Sequence, residues 1–278
     1  MAWSIEPNHE GTLRSRAFDI EADQPDIAVD AAQPDAIDPV EEAAASNGRS
    51  ITTIVRNVLV LVGGLGAYLG VRAVTAGSAT SAARNAGRLL EFERALGFEW
   101  EADIQQVALD YEWVVSVANW IYSFAYWPVI IATLLYTWLS HRALFRRYRN
   151  ALFASGLVGL VVFAMFPVAP PRFLSGYVDT VNEAARHNYI AHPSWLINEN
   201  AALPSFHVGW MALSAVLLFP LLRSHLAKVL LVLPAVLMAA VVVITGNHYL
   251  VDVVLGVAIS LSALGLIVWR ERATRIAR

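Results

Sequence analysis

Length, composition and charge exclude an ordinary soluble domain. The chain has 278 residues, of which 57% are hydrophobic and 15% are charged, and its mean hydropathy is +0.51, which is too apolar for a soluble fold. The absence of cysteine excludes disulfides, cysteine-bound metals and a thiolate nucleophile. We expect no nucleic-acid partner.

The first 50 residues differ in composition from the rest of the chain. They hold eleven Asp and Glu against three Arg, together with four prolines and many alanines. Such a composition cannot bury enough apolar surface to fold alone. We therefore expect a disordered acidic N-terminal tail over 1–50.

Six apolar stretches follow, each long enough to approach the roughly 20 residues that a helix needs to cross a bilayer. They cover 54–76, 113–139, 151–168, 204–222, 227–245 and 250–269. The pattern predicts an all-α polytopic membrane protein, a six-transmembrane-helix bundle over 51–270, with a basic cytoplasmic tail over 271–278.

Two connections between these stretches stand out. The segment "NAGRLLEFERALGFEWEADIQQVALDYE" favours an amphipathic helical segment in the membrane interface, with an ordinary polar loop as the alternative. Among its acids and arginines it places the apolar residues Leu89, Leu90, Leu96, Ile104 and Val107. The long connection over 171–203 is expected to select the substrate. Its candidate residues are Tyr177, Asn182, His187, Tyr189 and His192.

Basic residues set the expected orientation. Ten of them fall in two connections and the C-terminal tail, namely Arg142, Arg146, Arg147, Arg149, Arg223, Lys228, Arg270, Arg272, Arg275 and Arg278. The other connections hold fewer. We expect both termini to be cytoplasmic, in a multi-pass protein of the plasma membrane.

With that orientation, three polar motifs fall on the extracytoplasmic face. The third stretch ends in "FPVAPPR" with Arg172, and the fourth opens with "PSFH", which contains Ser205 and His207. The sixth opens with "GNHYLVD", in which His248 and Asp252 stand four residues apart and are expected to share one helical face.

These residue types suit phosphoryl transfer. A carboxylate can orient a histidine as a nucleophile, a second histidine can supply a proton, and an arginine matches phosphate oxygens two at a time. Each motif has a structural alternative: Arg172 reaching for the interface, His207 capping a helix, and His248 with Asp252 forming a structural hydrogen-bonded pair.

The motifs "APPR", "PSFH" and "GNHYLVD" resemble the signature segments of the type 2 phosphatidic acid phosphatase superfamily. The resemblance is greatest to its inositol phosphotransferase branch, which includes the inositol phosphorylceramide synthases. It covers roughly 51–270, since "LLEFERALGFEWEADIQ" and "FRRYRNALF" also look like that branch. It implies a six-helix bundle and a histidine-phosphate intermediate.

The resemblance also implies residue roles. His248 would attack phosphorus, Asp252 would orient it, and His207 would protonate the leaving oxygen. Arg172 and Ser205 would hold the phosphate. Three positions depart from the phosphatase pattern: Val242 replaces an arginine, Phe206 replaces a glycine and Met165 replaces a lysine.

The leading hypothesis is a lipid phosphotransferase that moves a phospho-headgroup, such as phosphoinositol, from a phospholipid donor to a lipid or alcohol acceptor. It needs no metal and no cofactor. One alternative is a phosphatase acting on a lipid phosphate or an isoprenoid diphosphate. A non-enzymatic alternative is a transport or metal-binding membrane protein that uses His207, His248 and Asp252 as ligands.

Overall fold

The structure is a computed structural model that describes residues 51–75, 79–181 and 199–276. The predicted acidic tail over 1–50 lies outside these residues, as do the substrate-selecting candidates Asn182, His187, Tyr189 and His192. Nine α-helices are present in the described ranges, namely α1 (Ile51–Thr75), α2 (Ala79–Leu96), α3 (Glu101–Leu109), α4 (Glu112–Phe124), α5 (Tyr126–Ser140), α6 (Arg142–Met165), α7 (Phe206–Leu218), α8 (His225–Ile244) and α9 (Leu250–Ile276). Two 3₁₀ turns, Pro171–Phe173 and Phe219–Leu221, complete them.

The expected all-α class is confirmed for the described residues, which contain no β-strand. Four helical segments are long and apolar enough to cross a membrane: α4 with α5 over Glu112–Ser140, α6, α8 and α9. The helix α7 with its 3₁₀ turn, Phe206–Leu221, is apolar but shorter. The chain is therefore a helical membrane protein, and each of the six predicted stretches overlaps a helix.

Apolar side chains cover the outside of these helices. Between 17% and 28% of each spanning segment's most apolar part is buried, and large side chains such as Trp120, Leu139, Leu157 and Val254 are well exposed. A soluble protein does not expose so much contiguous apolar surface, whereas lipid tails accept it without cost.

The helix α6 begins earlier than the sequence predicted. The segment "HRALFRRYRN", expected as a loop before a span at 151, is helical from Arg142. Arginine forms helices well, and its aliphatic stem packs against apolar surface while its head reaches a partner. Arg147 donates to Glu271 at 2.6 Å, and the Arg142 guanidinium lies 5.3 Å from the Trp138 ring centroid. Similarly, α9 continues to Ile276 rather than ending near 269.

The segment predicted to lie in the interface forms α2 and α3. Its Leu96, Ile104 and Val107 are exposed, as expected of side chains facing lipid. Its acids do not all face water, however, because Glu93 and Glu101 are fully buried against the bundle. Leu89 is buried as well, so the amphipathic pattern predicted neither its position nor that of these two carboxyl groups. The placement of the segment in the membrane interface stays a prediction.

The central helix of the bundle is α7, which packs against α5, α6, α8 and α9. Two glycines allow α7 and α9 to approach closely. A Cβ atom on Gly256 would lie 2.0 Å from the Ser205 carbonyl oxygen, and one on Gly209 would lie 2.4 Å from the Gly256 carbonyl oxygen. Small residues at such contacts let helix backbones touch in a membrane protein.

This contact generates a prediction about Gly256. In Gly256→Ala the methyl group meets backbone that cannot move aside, so we expect a loss of about 1–3 kcal/mol in unfolding free energy, measured by thermal unfolding in detergent. Gly265→Ala in the same helix is the matched control, because a Cβ there meets nothing within 4 Å. Equal melting temperatures of the two variants would contradict the close approach.

Candidate active site

Main-chain hydrogen bonds tie the three polar motifs together at one end of the bundle. The Arg172 amide donates to the Gly246 carbonyl at 2.9 Å, the Ser205 amide to the Asp252 carbonyl at 2.9 Å, and the Ala202 amide to the Val168 carbonyl at 3.1 Å. Each motif is therefore bonded to both of the others. The geometry around them is set by backbone rather than by flexible side chains.

The two histidines face each other. His248 Nε2 lies 3.4 Å from His207 Nδ1, and the ring centroids are 5.6 Å apart. On its other side, His248 Nδ1 lies 2.7 Å from the Ala202 carbonyl oxygen. Because a carbonyl can only accept, Nδ1 carries the hydrogen and Nε2 keeps its lone pair directed towards His207.

Asp252 also touches His248, with Oδ2 3.4 Å from Nδ1. The two residues do not share a helical face, because α9 begins at Leu250 and His248 precedes it. The turn before α9 folds back instead: Gly246 has a φ of +65°, and the amides of Asn247 and His248 donate to the Val242 carbonyl. The nearer orienting group for His248 is thus the Ala202 carbonyl.

Arg172 lies on the 3₁₀ turn Pro171–Phe173 after the prolines that end α6. Its Nη1 donates to Asn247 Oδ1, its Nε lies 3.6 Å from Asp179 Oδ1, and its guanidinium lies 4.7 Å from the Phe173 ring centroid. These contacts hold the Arg172 guanidinium next to the turn that carries His248. The alternative of an arginine reaching for the interface does not fit a side chain that is about 10% exposed.

Ser205 is the residue before α7 and is completely buried. Its Oγ makes no capping bond to the helix and has no hydrogen-bond partner among the described residues. A buried hydroxyl in that state is costly unless it serves a ligand. It stands at a helix start, where amide groups and the helix dipole favour an anion.

His207 is the second residue of α7 and lies between two tyrosines. The ring centroids of Tyr122 and Tyr126 are each 4.8 Å from the His207 ring centroid. These contacts fix the ring plane from one side, while His248 approaches from another. The alternative of a helix-capping histidine is not seen, because the helix start is formed by Ser205.

Comparison with known families identifies the chain. The family model described as the PAP2 superfamily matches residues 87–266, which is more than half of the chain. The chain belongs to the PAP2 superfamily. PAP2 proteins are generally phosphatases or phosphotransferases that act on lipid phosphates, so the chain is assigned to that enzyme class. No curated protein and no solved structure matches it.

The structure shows how this PAP2 chain accommodates its three departures. Val242 is buried and offers only its carbonyl to the turn before His248, and Met165 is 80% exposed on the outside of α6. The ring of Phe206 occupies the space above Gly159, where a Cβ would lie 2.1 Å from it. None of these positions supplies a cation, so within the described residues Arg172 is the arginine at the site.

Several groups at this PAP2 site were not identified from the sequence. The Ala202 carbonyl and Asn247 were missed because backbone groups and an amide carry no recognisable motif. Tyr122 and Tyr126 lie in the middle of the predicted 113–139 stretch and were not singled out, although Tyr126 is buried. Among the described residues no group of three or more His, Cys, Asp or Glu is arranged to hold a metal ion.

The environment of His248 predicts its protonation state. Burial, together with the positive charge of Arg172, lowers the pKa of the His248 imidazole from 6.5 to about 4, although the Ala202 carbonyl acts in the opposite direction. A lowered pKa leaves the ring neutral at all pH values above about 4. We expect nitrogen NMR of the labelled protein, assigned with His248→Ala, to show a neutral ring with hydrogen on Nδ1 at pH 6. A doubly protonated ring at pH 6 would contradict the prediction.

Proposed function

We propose that the protein is an integral membrane lipid phosphotransferase. It would move a phospho-headgroup from a phospholipid to an acceptor alcohol through a phosphohistidine on His248. The observation that carries the proposal is the 3.4 Å approach of His248 Nε2, bearing its lone pair, to His207 Nδ1 in a chain of the PAP2 superfamily.

In the first step, His248 Nε2 forms a bond to phosphorus and the bond from phosphorus to the lipid oxygen breaks. His207 in its protonated form gives that oxygen a proton, so the lipid leaves as an alcohol. The hydrogen on His248 Nδ1 stays bonded to the Ala202 carbonyl, and the nearby Asp252 carboxylate offsets the positive charge that develops on the ring. The site then holds a phosphohistidine and a neutral His207.

In the second step, an acceptor hydroxyl attacks the same phosphorus. His207 now takes the proton of that hydroxyl, and the bond between phosphorus and His248 Nε2 breaks. His248 returns to its neutral form and His207 is protonated again, so the cycle closes without an added reactant. Water in place of the alcohol would give hydrolysis through the same residues.

Arg172 and Ser205 are the proposed phosphate ligands. The guanidinium is held by Asn247 and Asp179, so it is positioned before substrate arrives, and its planar fork suits two phosphate oxygens. The unpartnered Ser205 Oγ and the start of α7 supply donors on the other side. A phosphate between them would lie next to both histidines.

Transfer fits the site better than hydrolysis. A phosphodiester donor carries one negative charge and a monoester carries up to two, and Val242 and Met165 leave the site without the two further cations of the phosphatase pattern. The inositol phosphotransferase branch is therefore the proposed relationship, with phosphoinositol as the proposed headgroup. The second candidate function is a phosphatase acting on lipid phosphates or isoprenoid diphosphates.

We also propose the full topology. In this proposal α1 and α7 are the two remaining spans of a six-span bundle in the plasma membrane, α2 and α3 lie at the outer interface, both termini are cytoplasmic, and the site opens on the extracytoplasmic face. The chain has no cysteine, so single cysteines can be introduced without a background. Cysteines at exposed Ser175 and Ser224 should react from outside and from inside the cell, respectively. Labelling of both from one side would contradict this topology.

Turnover of a phospholipid with a labelled headgroup tests the function. With an added alcohol acceptor we expect a new labelled phosphodiester as the main product, and free phosphate or free headgroup phosphate only as a minor one. His248→Ala and His207→Ala should each lower the rate by about 10² to 10⁴, because the nucleophile or the proton donor is lost.

His225→Ala is the matched control. That histidine is exposed and begins α8, whereas the turn that carries His248 follows the C-terminal end of the same helix. Its rate should equal that of the natural chain. Undiminished turnover by His248→Ala would exclude the proposed mechanism, and release of inorganic phosphate from a phosphomonoester as the dominant reaction would favour the phosphatase.

A further inference from the structure

Three buried carboxyl groups accept the first amides of α9. The Tyr249 amide donates to Asp252 Oδ2 at 2.9 Å, the Leu250 amide to Glu101 Oε1 at 2.8 Å, and the Val251 amide to Glu93 Oε1 at 2.8 Å. A helix start leaves these amides without partners in its own backbone. Here two of the three partners come from α2 and α3, about 150 residues earlier in the chain.

The second oxygen of each carboxyl group is buried and has no hydrogen-bond donor among the residues that the structure describes. These atoms are Glu93 Oε2, Glu101 Oε2 and Asp252 Oδ1. Of the described lysines and arginines, none forms an ion pair with any of the three. The Glu93 and Glu101 side chains are close enough for Glu101 to raise the pKa of Glu93. Two adjacent carboxylates without a cation cannot both stay ionised in a buried site.

Burial, together with the neighbouring Glu101 and Asp252, raises the pKa of Glu93 from 4.5 to about 8, although the hydrogen bond from the Val251 amide acts in the opposite direction. The other titratable groups at this point are the Tyr177 and Tyr249 hydroxyls and the His248 ring beyond Asp252. Burial raises the pKa of both tyrosines, so they remain neutral. The Tyr249 hydroxyl donates to the Ala169 carbonyl at 2.9 Å.

We propose that Glu93 and Glu101 are positioning residues that work as one acid pair. A single proton held between their Oε2 atoms lets both Oε1 atoms accept the amides of Val251 and Leu250. The pair thereby fixes the start of α9 next to His248 and Asp252. Its consequence for turnover rests on the function proposed above, whereas its effect on the helix start does not.

Hydrogen exchange separates this role from a merely structural one. In Glu93→Gln the amide oxygen still accepts from Val251 and the NH₂ group replaces the shared proton, so exchange at Leu250 and Val251 should stay within about 3-fold of the natural chain. Glu93→Ala removes the acceptor and should accelerate exchange at Val251 by at least 10-fold. Glu91→Gln and Glu91→Ala are the matched controls, since Glu91 is exposed on the same helix. Neither control should change the exchange rate at Leu250 or Val251.

The pH dependence provides a second readout. Because the pKa of Glu93 is raised in the folded state, the stability that the shared proton contributes is complete below about pH 4.5 and is lost as the pH rises to about 8. Glu93→Gln keeps its hydrogen at every pH. Its melting temperature relative to the natural chain should therefore increase steadily between pH 5 and pH 8.5, whereas that of Glu91→Gln should not.

Turnover distinguishes this proposal from the proposed function. Glu93→Ala should lower kcat at least 10-fold with little change in KM, because the nucleophile is misplaced while the phosphate ligands remain. Three results would each overturn the acid pair. The first is an equal loss of kcat in Glu93→Gln and Glu93→Ala, and the second is a difference in melting temperature that does not depend on pH. The third is faster hydrogen exchange at the start of α9 after divalent cations are chelated. If the Glu93 variants exchange as predicted but the natural chain turns over no phospholipid, the function fails and the acid pair stands.

Discussion

The site depends on one close approach, that of the beginnings of α7 and α9. The Ser205 amide donates to the Asp252 carbonyl at 2.9 Å, and Gly256 leaves no room between its backbone and the Ser205 carbonyl. His207 follows Ser205 by two residues and His248 precedes Asp252 by four, so this contact brings the two imidazoles together.

The two helix starts at this place have different electrostatic roles. Both direct amide groups and the positive end of a helix dipole towards the site. At α9 the amides are already occupied by Asp252, Glu101 and Glu93, so that end cannot also bind a substrate anion. At α7 the Ser205 hydroxyl has no hydrogen-bond partner within the described part of the chain. Phosphate is therefore expected at the start of α7, between Ser205 and Arg172, while the start of α9 serves to hold His248.

The sequence predicts the class of the fold and the groups at the site better than it predicts their contacts. The apolar stretches overlap the helices because helix length and hydrophobicity are local properties. The helical Arg142–Arg149 region was predicted as a loop because it is rich in charged residues. The sequence pattern does not show that the aliphatic parts of these side chains pack in the structure. The orienting role of the Ala202 carbonyl and the burial of Glu93 depend on contacts between residues that are far apart in the chain. A local sequence pattern cannot predict such contacts. The spacing of His248 and Asp252 suggested a helical face, whereas a turn before α9 produces their contact.

The central claim is that His248 Nε2 forms the covalent bond to phosphorus. It is tested most directly by rapid quenching at alkaline pH with a phosphorus-labelled donor and no acceptor, followed by mass spectrometry of the peptides. An acid-labile, alkali-stable phosphoryl group is expected on the peptide that contains His248, and it should disappear when an acceptor alcohol is added. Label on a different residue, or no labelled peptide from a preparation that transfers fully once an acceptor is added, would contradict it.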